Sequence, residues 1–307
     1  MLLRRGTIDG MDAKPTWFWK LALAVSAAIW GGAFVVVKGA LDDISPAWLL
    51  ALRFALTTVI LCAVFRRTLR EHLDADHLRT GALLGLFSGA AFLAQYVGLA
   101  DTTPGRSAFL TATYVVFVPL LNWAVARRRP AGVHIAAAML ALAGVGFISL
   151  AEGLSFSLSW GDLVTLVCAV LFALHIVYVA RFSEGRDIMT LTIVQIGFST
   201  VVALVWAIAF EPVPDLAAAG GGFWAAFGYI VIMSSCIAMV VQNVGQSIVE
   251  PATAALLLSL ESVFAVIFSV VFYHEVLTPR VIVGFALIFA AVLVSEVLPS
   301  FLDKPAG

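Results

Sequence analysis

The chain has 307 residues, of which 62% are apolar and only 12% charged, with a mean hydropathy of +1.04 and a net charge of -1. Such a composition belongs to a surface that meets lipid, and it excludes a soluble enzyme or a nucleic-acid-binding module, because the basic residues fall in short clusters between apolar runs with no aromatic-interleaved patch. Cys62, Cys168 and Cys236 all lie inside apolar runs without the close spacing of metal ligands, so they read as packing or lipid-facing residues, and no metal or cofactor is expected.

In chain order, residues 1–16 form a short polar and basic tail, followed by an apolar run from Trp17 to Ala40. That run is too long for a signal-peptide core and has no small-residue cleavage site near its end, so it is read as an uncleaved first helix. Further spans are predicted at 45–66, 77–99, 104–126, 131–150, 160–182, 187–210, 222–246, 251–273 and 279–298, before a tail at 299–307. Each is near the ~20 residues that cross a bilayer at about 1.5 Å per residue. The spacing predicts an all-α membrane protein of ten transmembrane helices, five in 17–150 and five in 160–298, with no room for an appended soluble domain.

Charge then orients the chain. With the first tail in the cytoplasm, Arg4, Arg5, Lys14, Lys20, Arg66, Arg67, Arg70, Arg79, Arg127, Arg128, Arg129, Arg181, Arg186 and Lys304 all fall inside. Only Lys38, Arg106 and Arg280 fall outside, where Asp42, Asp43, Asp101, Glu152, Asp162, Glu211, Asp215 and Glu275 collect. The positive-inside rule therefore places both termini in the cytoplasm, and Trp residues fall near both interfaces as aromatic belts do. Trp30 is the exception, in mid-span.

The stretch Ser88–Phe117 recurs, without a gap and 147 residues later, as Ser235–Phe264. The landmarks shared are Gln95/Gln242, Gly98/Gly245 and Pro104/Pro251, alongside Ser88/Ser235 and several apolar identities. Because each unit holds an odd number of spans, the second must enter the membrane from the opposite side. The result is an inverted repeat, with a substrate site expected between the halves near the midplane and alternating access as its mode of working.

Further short motifs follow the same duplication. Trp30-Gly31, Ser45-Pro46, Arg53-Phe54 and Gly98-Leu99 leading to Thr102, Thr103 and Ala108 stand in the first half; Trp160-Gly161-Asp162, Glu250-Pro251-Ala252-Thr253-Ala254-Ala255, Glu261 and His274-Glu275 stand in the second. Their order and ten-span context resemble the paired EamA repeats of the drug/metabolite transporter superfamily, over residues 20–298. One departure is the acid before helix 10, which faces Arg127–Arg129 in the first half. Within the superfamily the chain is most similar to bacterial exporters of amino acids, including the YddG-type exporters of aromatic and neutral amino acids. The resemblance implies a secondary transporter in the inner (plasma) membrane of a bacterium, with lipid around it and a small amino-acid-like molecule inside it, functional as a monomer.

Candidate pathway residues come from helical spacing. Ser235, Met239, Gln242 and Gln246 share one face of helix 8, and Ser88, Phe92, Gln95 and Leu99 share the matching face of helix 3. Polar side chains facing lipid lose their hydrogen bonds, so these faces turn into the bundle, where the Gln amides either bind substrate or tie helix to helix. Glu261 and Arg53 are the only acid and base deep in the spans. Glu261 is a candidate ammonium partner or proton carrier, with structural pairing as the alternative, and its repeat mate Tyr114 would put a phenol on the facing wall. Arg53 is read as a structural tether, either between helices or snorkelling to the interface. Trp30, His175 and Tyr178 are candidate pocket residues or, equally, members of a packed interface. Pro119 inside helix 4 should kink it. Gly81, Gly85 and Gly89 make a small-residue seam on helix 3.

No phosphate-binding loop, HExxH, Gly-x-Ser-x-Gly or ion-filter run is present, which argues against an ATPase, a membrane hydrolase or a channel. The sequence thus points to an exporter of small amphipathic metabolites, aromatic and neutral amino acids leading. A multidrug, vitamin or nucleoside transporter of the same fold is the alternative within transport, and a membrane-embedded enzyme or scaffold the alternative outside it.

Overall fold

Helices begin where the sequence supplies a cap. After α1 (Thr16–Ala40), Pro46 opens α2 (Pro46–Val64), where its missing N–H costs nothing; a short α3 (Arg66–His72) then leads to Asp74, whose carboxylate accepts from the Asp76 and His77 amides at the start of α4 (Ala75–Ala100). These bonds, chiefly from His77, hold the exposed Asp74 carboxyl below its ordinary value. Next come α5 (Pro104–Ala112), α6 (Tyr114–Ala126) and α7 (Gly132–Ser149). A capping box of Ser159 and Asp162 starts α8 (Trp160–Phe182), and Asp187 caps α9 (Ile188–Phe210). The chain continues through α10 (Gly221–Tyr229), a π-helical segment (Ile230–Ile237) and α11 (Ala238–Ile248), then α12 (Pro251–Leu258) and α13 (Glu261–Tyr273). The structure, a computed structural model, describes residues 14–102, 104–127, 130–149 and 159–273, and parts of a helix within 279–294. Arg4, Arg5, Thr103, Arg128, Arg129, Glu152, His274, Glu275 and Lys304 lie outside the described residues.

These elements compose ten transmembrane helices in two inverted five-helix repeats. Seven described helices are long and apolar enough to cross a bilayer by themselves. The remaining spans are α5 with α6, the shorter α7, and the helix within 279–294. The inversion shows in which helices touch. Helix 3 (α4) packs on helix 6 (α8) as helix 8 packs on helix 1, and α4 packs on helix 7 (α9) as helix 8 packs on α2. Gly98 and Gly245 are repeat mates, and both mark close crossings: a Cβ on Gly98 would meet Gly161 O at 2.8 Å and crowd Thr165, while one on Gly245 would meet Leu23 at 2.8 Å. Leu23 and Thr165 are thereby counterparts at an offset of 142, the same offset that separates the caps Ser45 and Asp187.

The glycine seam of α4 lies against α9, with Gly81 on Val194, Gly85 on Phe198 and Gly89 on Ser199. A Cβ at position 85 would sit 2.6 Å from Phe198 Cβ and 2.5 Å from Gln195 O, so there is no room for a larger residue without parting the two helices. Gly85→Val is expected to lower stability by about 1–3 kcal/mol through overpacking, read as a lower melting temperature of the purified protein in detergent; an unchanged midpoint would contradict this crossing.

Helix 4 is interrupted at Thr113, between α5 and α6, and not at Pro119, which lies within α6. Its mate helix 9 is interrupted at the corresponding place, residues 259–260, where no proline stands. Both breaks tighten to i→i-3 bonds: Thr113 and Val116 amides donate to Leu110 and Thr113, and Leu260 and Ser262 amides donate to Leu257 and Ser259. Hydroxyls stabilise the breaks by donating back to carbonyls of the preceding turn, Thr113 to Leu110 at 2.6 Å and Ser259 to Leu256 at 2.7 Å. The residue after each break, Tyr114 or Glu261, therefore opens a new helical segment in the middle of the bundle.

Candidate functional site

Between the repeats lies a cavity lined by residues of both. Four pairs of counterparts line it: Trp30 and Phe172, Phe34 and Ile176, Gln95 and Gln242, Tyr114 and Glu261. Two of the pairs follow the 147 offset and two the 142 offset, so the pseudo-twofold axis passes through the cavity. The Tyr114 hydroxyl and the Glu261 carboxyl are hydrogen-bonding partners, while Glu261 Oε1 has no partner among the described residues.

Arg53 forms the charged wall. It is 2% exposed, so the snorkelling placement is excluded and the tether runs helix to helix. Nε donates to Ser235 Oγ at 2.5 Å, Nη2 donates to Ser234 Oγ at 3.1 Å, and Nη1 donates to the Tyr96 hydroxyl. The guanidinium also lies over the rings of Phe54, Phe92 and Tyr96, with centroids at 5.0, 5.1 and 5.7 Å. Among the described residues no carboxylate pairs with it. Five N–H donors meet three hydroxyls, which leaves donor capacity facing a cavity that also holds Glu261.

The π segment of helix 8 builds the other side of this wall. Its looser winding lets Ser235 Oγ donate to Ile230 O at 2.9 Å and leaves Ser234 O free to accept from Trp30 Nε1 at 2.9 Å. Ser234, not Ser235, consequently lines the cavity. Phe92 sits at an aromatic junction with Trp30, Phe54 and Phe172, ring centroids at 6.4, 5.3 and 4.9 Å, all edge to face.

Of the residues anticipated from sequence, Trp30, Phe92, Gln95, Tyr114, Gln242 and Glu261 come together here. Ser88 does not, because its hydroxyl is 2.8 Å from Ser199 Oγ across the α4–α9 crossing. Tyr178 stacks between Phe87 and Phe182, at 5.4 and 5.1 Å, in a packed interface. Met239, His175 and Gln246 are buried at 1–2% exposure away from the cavity. Residues that spacing did not single out for the cavity are Phe34, Phe172, Ile176 and Ser234. The 142 offset between helices 1 and 6 is the signal that would have paired Phe172 with Trp30. Among the described residues no three His, Cys, Asp or Glu gather as metal ligands would.

The fold and its duplication recur in known proteins. A model of the EamA-like transporter family matches residues 17–150 and again 159–296. An uncharacterized transporter of Archaeoglobus fulgidus is 32% identical over 89% of this chain and 84% of its own length. The uncharacterized transporter YoaV of Bacillus subtilis is 22% identical over 87% of this chain and 92% of its own. A crystal structure whose description states no activity overlays with a TM-score of 0.77 at 19% identity, over 94% of this chain and 99% of the other.

Proposed function

The chain belongs to the EamA-like transporter family, and from that premise we propose that it exports small amphipathic zwitterions, with aromatic and neutral amino acids as the leading substrates. The observation that carries this reading is a guanidinium without a carboxylate partner and a carboxylate oxygen without a hydrogen bond, among the described residues, on the wall of one aromatic cavity. A buried charge is costly unless something of opposite sign meets it. A zwitterion supplies both signs at once: its carboxylate meets Arg53, its ammonium meets Glu261, and the amides of Gln95 and Gln242 serve either end. Trp30, Phe34, Phe92 and Phe172 then take the apolar side chain.

In this reading repeat 1 spans 17–150 and repeat 2 spans 160–298, the tails 1–16 and 299–307 are cytoplasmic, and one chain in the plasma membrane suffices. Glu261, at the axis and bonded to Tyr114, is the group a coupled proton would use. The test is uptake of labelled phenylalanine, tryptophan, leucine and threonine into liposomes holding the pure protein, with and without a pH gradient. Saturable uptake, fastest for phenylalanine and tryptophan, is the expected result. A folded sample that takes up none of the four would overturn the substrate and move the assignment to drugs, nucleosides or vitamins.

A further inference from the structure

The cavity is lopsided. Beyond the four axial pairs, six of the eight remaining wall residues come from the first repeat, Ala33, Val37, Arg53, Phe92, Tyr96 and Leu99, against Ser234 and Leu258 from the second. Of the first-repeat six, all but Phe92, which precedes the axial Gln95, lie toward the end of the bundle where α1 and α4 finish, at Ala40 and Ala100. Their counterparts in the second repeat are His175, Val179, Gln195, Met239, Asn243 and Gln246, of which all but Met239 lie toward the opposite end, where α8 and α11 finish. Every one of these six is at most 2% exposed.

That second set is packed but not satisfied. Asn243 Nδ2 donates to Thr192 Oγ1 at 3.0 Å and to Gln195 Oε1 at 3.2 Å, and His175 faces Gln195. Both ring nitrogens of His175, Gln195 Nε2, Asn243 Oδ1 and both amide atoms of Gln246 have no hydrogen-bond partner among the described residues. Buried polar atoms without partners are rare in a settled interior, and half of those found in this protein's described side chains gather here. A cluster kept only for helix packing would use apolar residues or pair its amides.

We propose that His175, Gln195, Asn243 and Gln246 form a second substrate chamber, shut in this conformation, which hydrates and receives the same zwitterion when the bundle switches. The proposal rests on the transport reading and adds to it the residues of the other half-path. It also makes the two halves chemically unequal. Where the first repeat places a guanidinium and a phenol, Arg53 and Tyr96, the second places two neutral amides, Gln195 and Asn243. The substrate's carboxylate is held by charge on one side and by amide N–H groups on the other, so the second chamber binds more weakly and lets go faster.

The experiment introduces Gln246→Cys or Gln195→Cys into protein whose Cys62, Cys168 and Cys236 are replaced by Ala, reconstitutes it, and applies a membrane-impermeant thiol reagent to each face. Labelling at the face where α8 and α11 end, at a rate that phenylalanine changes several-fold, is expected. Cysteines that stay unreactive from both faces while phenylalanine uptake continues would overturn the chamber, as would labelling only from the opposite face. Uptake is scored separately: labelling without any uptake would overturn the substrate reading and leave the chamber standing. Gln246→Met keeps the proposal testable if a cysteine variant fails to fold. It removes two unpartnered atoms at similar volume, so the melting temperature should rise while uptake slows; undiminished uptake would count against the chamber.

Discussion

Glu261→Gln is expected to reduce phenylalanine uptake by about tenfold or more, the equivalent of losing at least ~1.4 kcal/mol of interaction with the substrate ammonium. Glutamine keeps the shape of the side chain and can still hydrogen-bond the Tyr114 hydroxyl that faces Glu261 across the axis, so the bend before α13 should survive. The melting temperature is therefore expected to hold or rise, because an acid buried at 4% exposure is replaced by a neutral amide. If uptake in the wild type depends on a pH gradient, that dependence should vanish in the variant. Unchanged uptake with an unchanged gradient response would remove Glu261 from the path and leave it a structural partner of Tyr114.

Arg53→Met should reduce uptake further, by about a hundredfold, on the scale of ~2–3 kcal/mol seen when a charge-assisted hydrogen bond is lost. The effect on stability is the discriminating part. Among the described residues Arg53 gains three hydroxyl contacts and three aromatic faces but no carboxylate, and replacing such a buried charge with an apolar residue of similar volume is often neutral or favourable. Ser235 retains its bond to Ile230 O, so only Ser234 and Tyr96 need new partners. A binding role thus predicts lost transport with little change in melting temperature. A purely structural tether predicts the reverse, a large fall in melting temperature with transport retained in the fraction that remains folded. Arg53→Lys keeps the charge but not the planar fork, and should be intermediate in uptake.

The architecture was legible because bilayer thickness and duplication both write periodic signals. Ten apolar runs near the bilayer's length set the spans, and Gln95/Gln242 with Pro104/Pro251 revealed the repeat whose odd helix count makes it inverted. One wall of the site followed from one face of helix 3, where Phe92, Gln95 and Leu99 do line the cavity. The matching face of helix 8 misled, since the π segment changes the winding before Ala238 and replaces Ser235 with Ser234 at the wall. No local composition marks such a segment. Arg53 stands only a few residues inside helix 2, which by distance alone suits snorkelling; its burial comes from Ser234, Ser235 and Tyr96 on two other helices. Pro119 is not where helix 4 is interrupted; the break falls at Thr113, where a hydroxyl donates back to a carbonyl as Ser259 does in helix 9. Helices 1 and 6 share no long run of identities, so the Trp30/Phe172 pairing became visible only through the crossings at Gly98 and Gly245.

The most direct test of the account is competition for labelled phenylalanine binding to the purified protein by three ligands of one shape: phenylalanine itself, phenethylamine, which lacks the carboxylate, and 3-phenylpropionate, which lacks the ammonium. The account predicts that phenylalanine competes far better than either analogue, that Arg53→Met abolishes the preference over the amine, and that Glu261→Gln abolishes the preference over the acid. Equal competition by all three, or a preference that neither substitution alters, would contradict a cavity that reads both charges of its substrate.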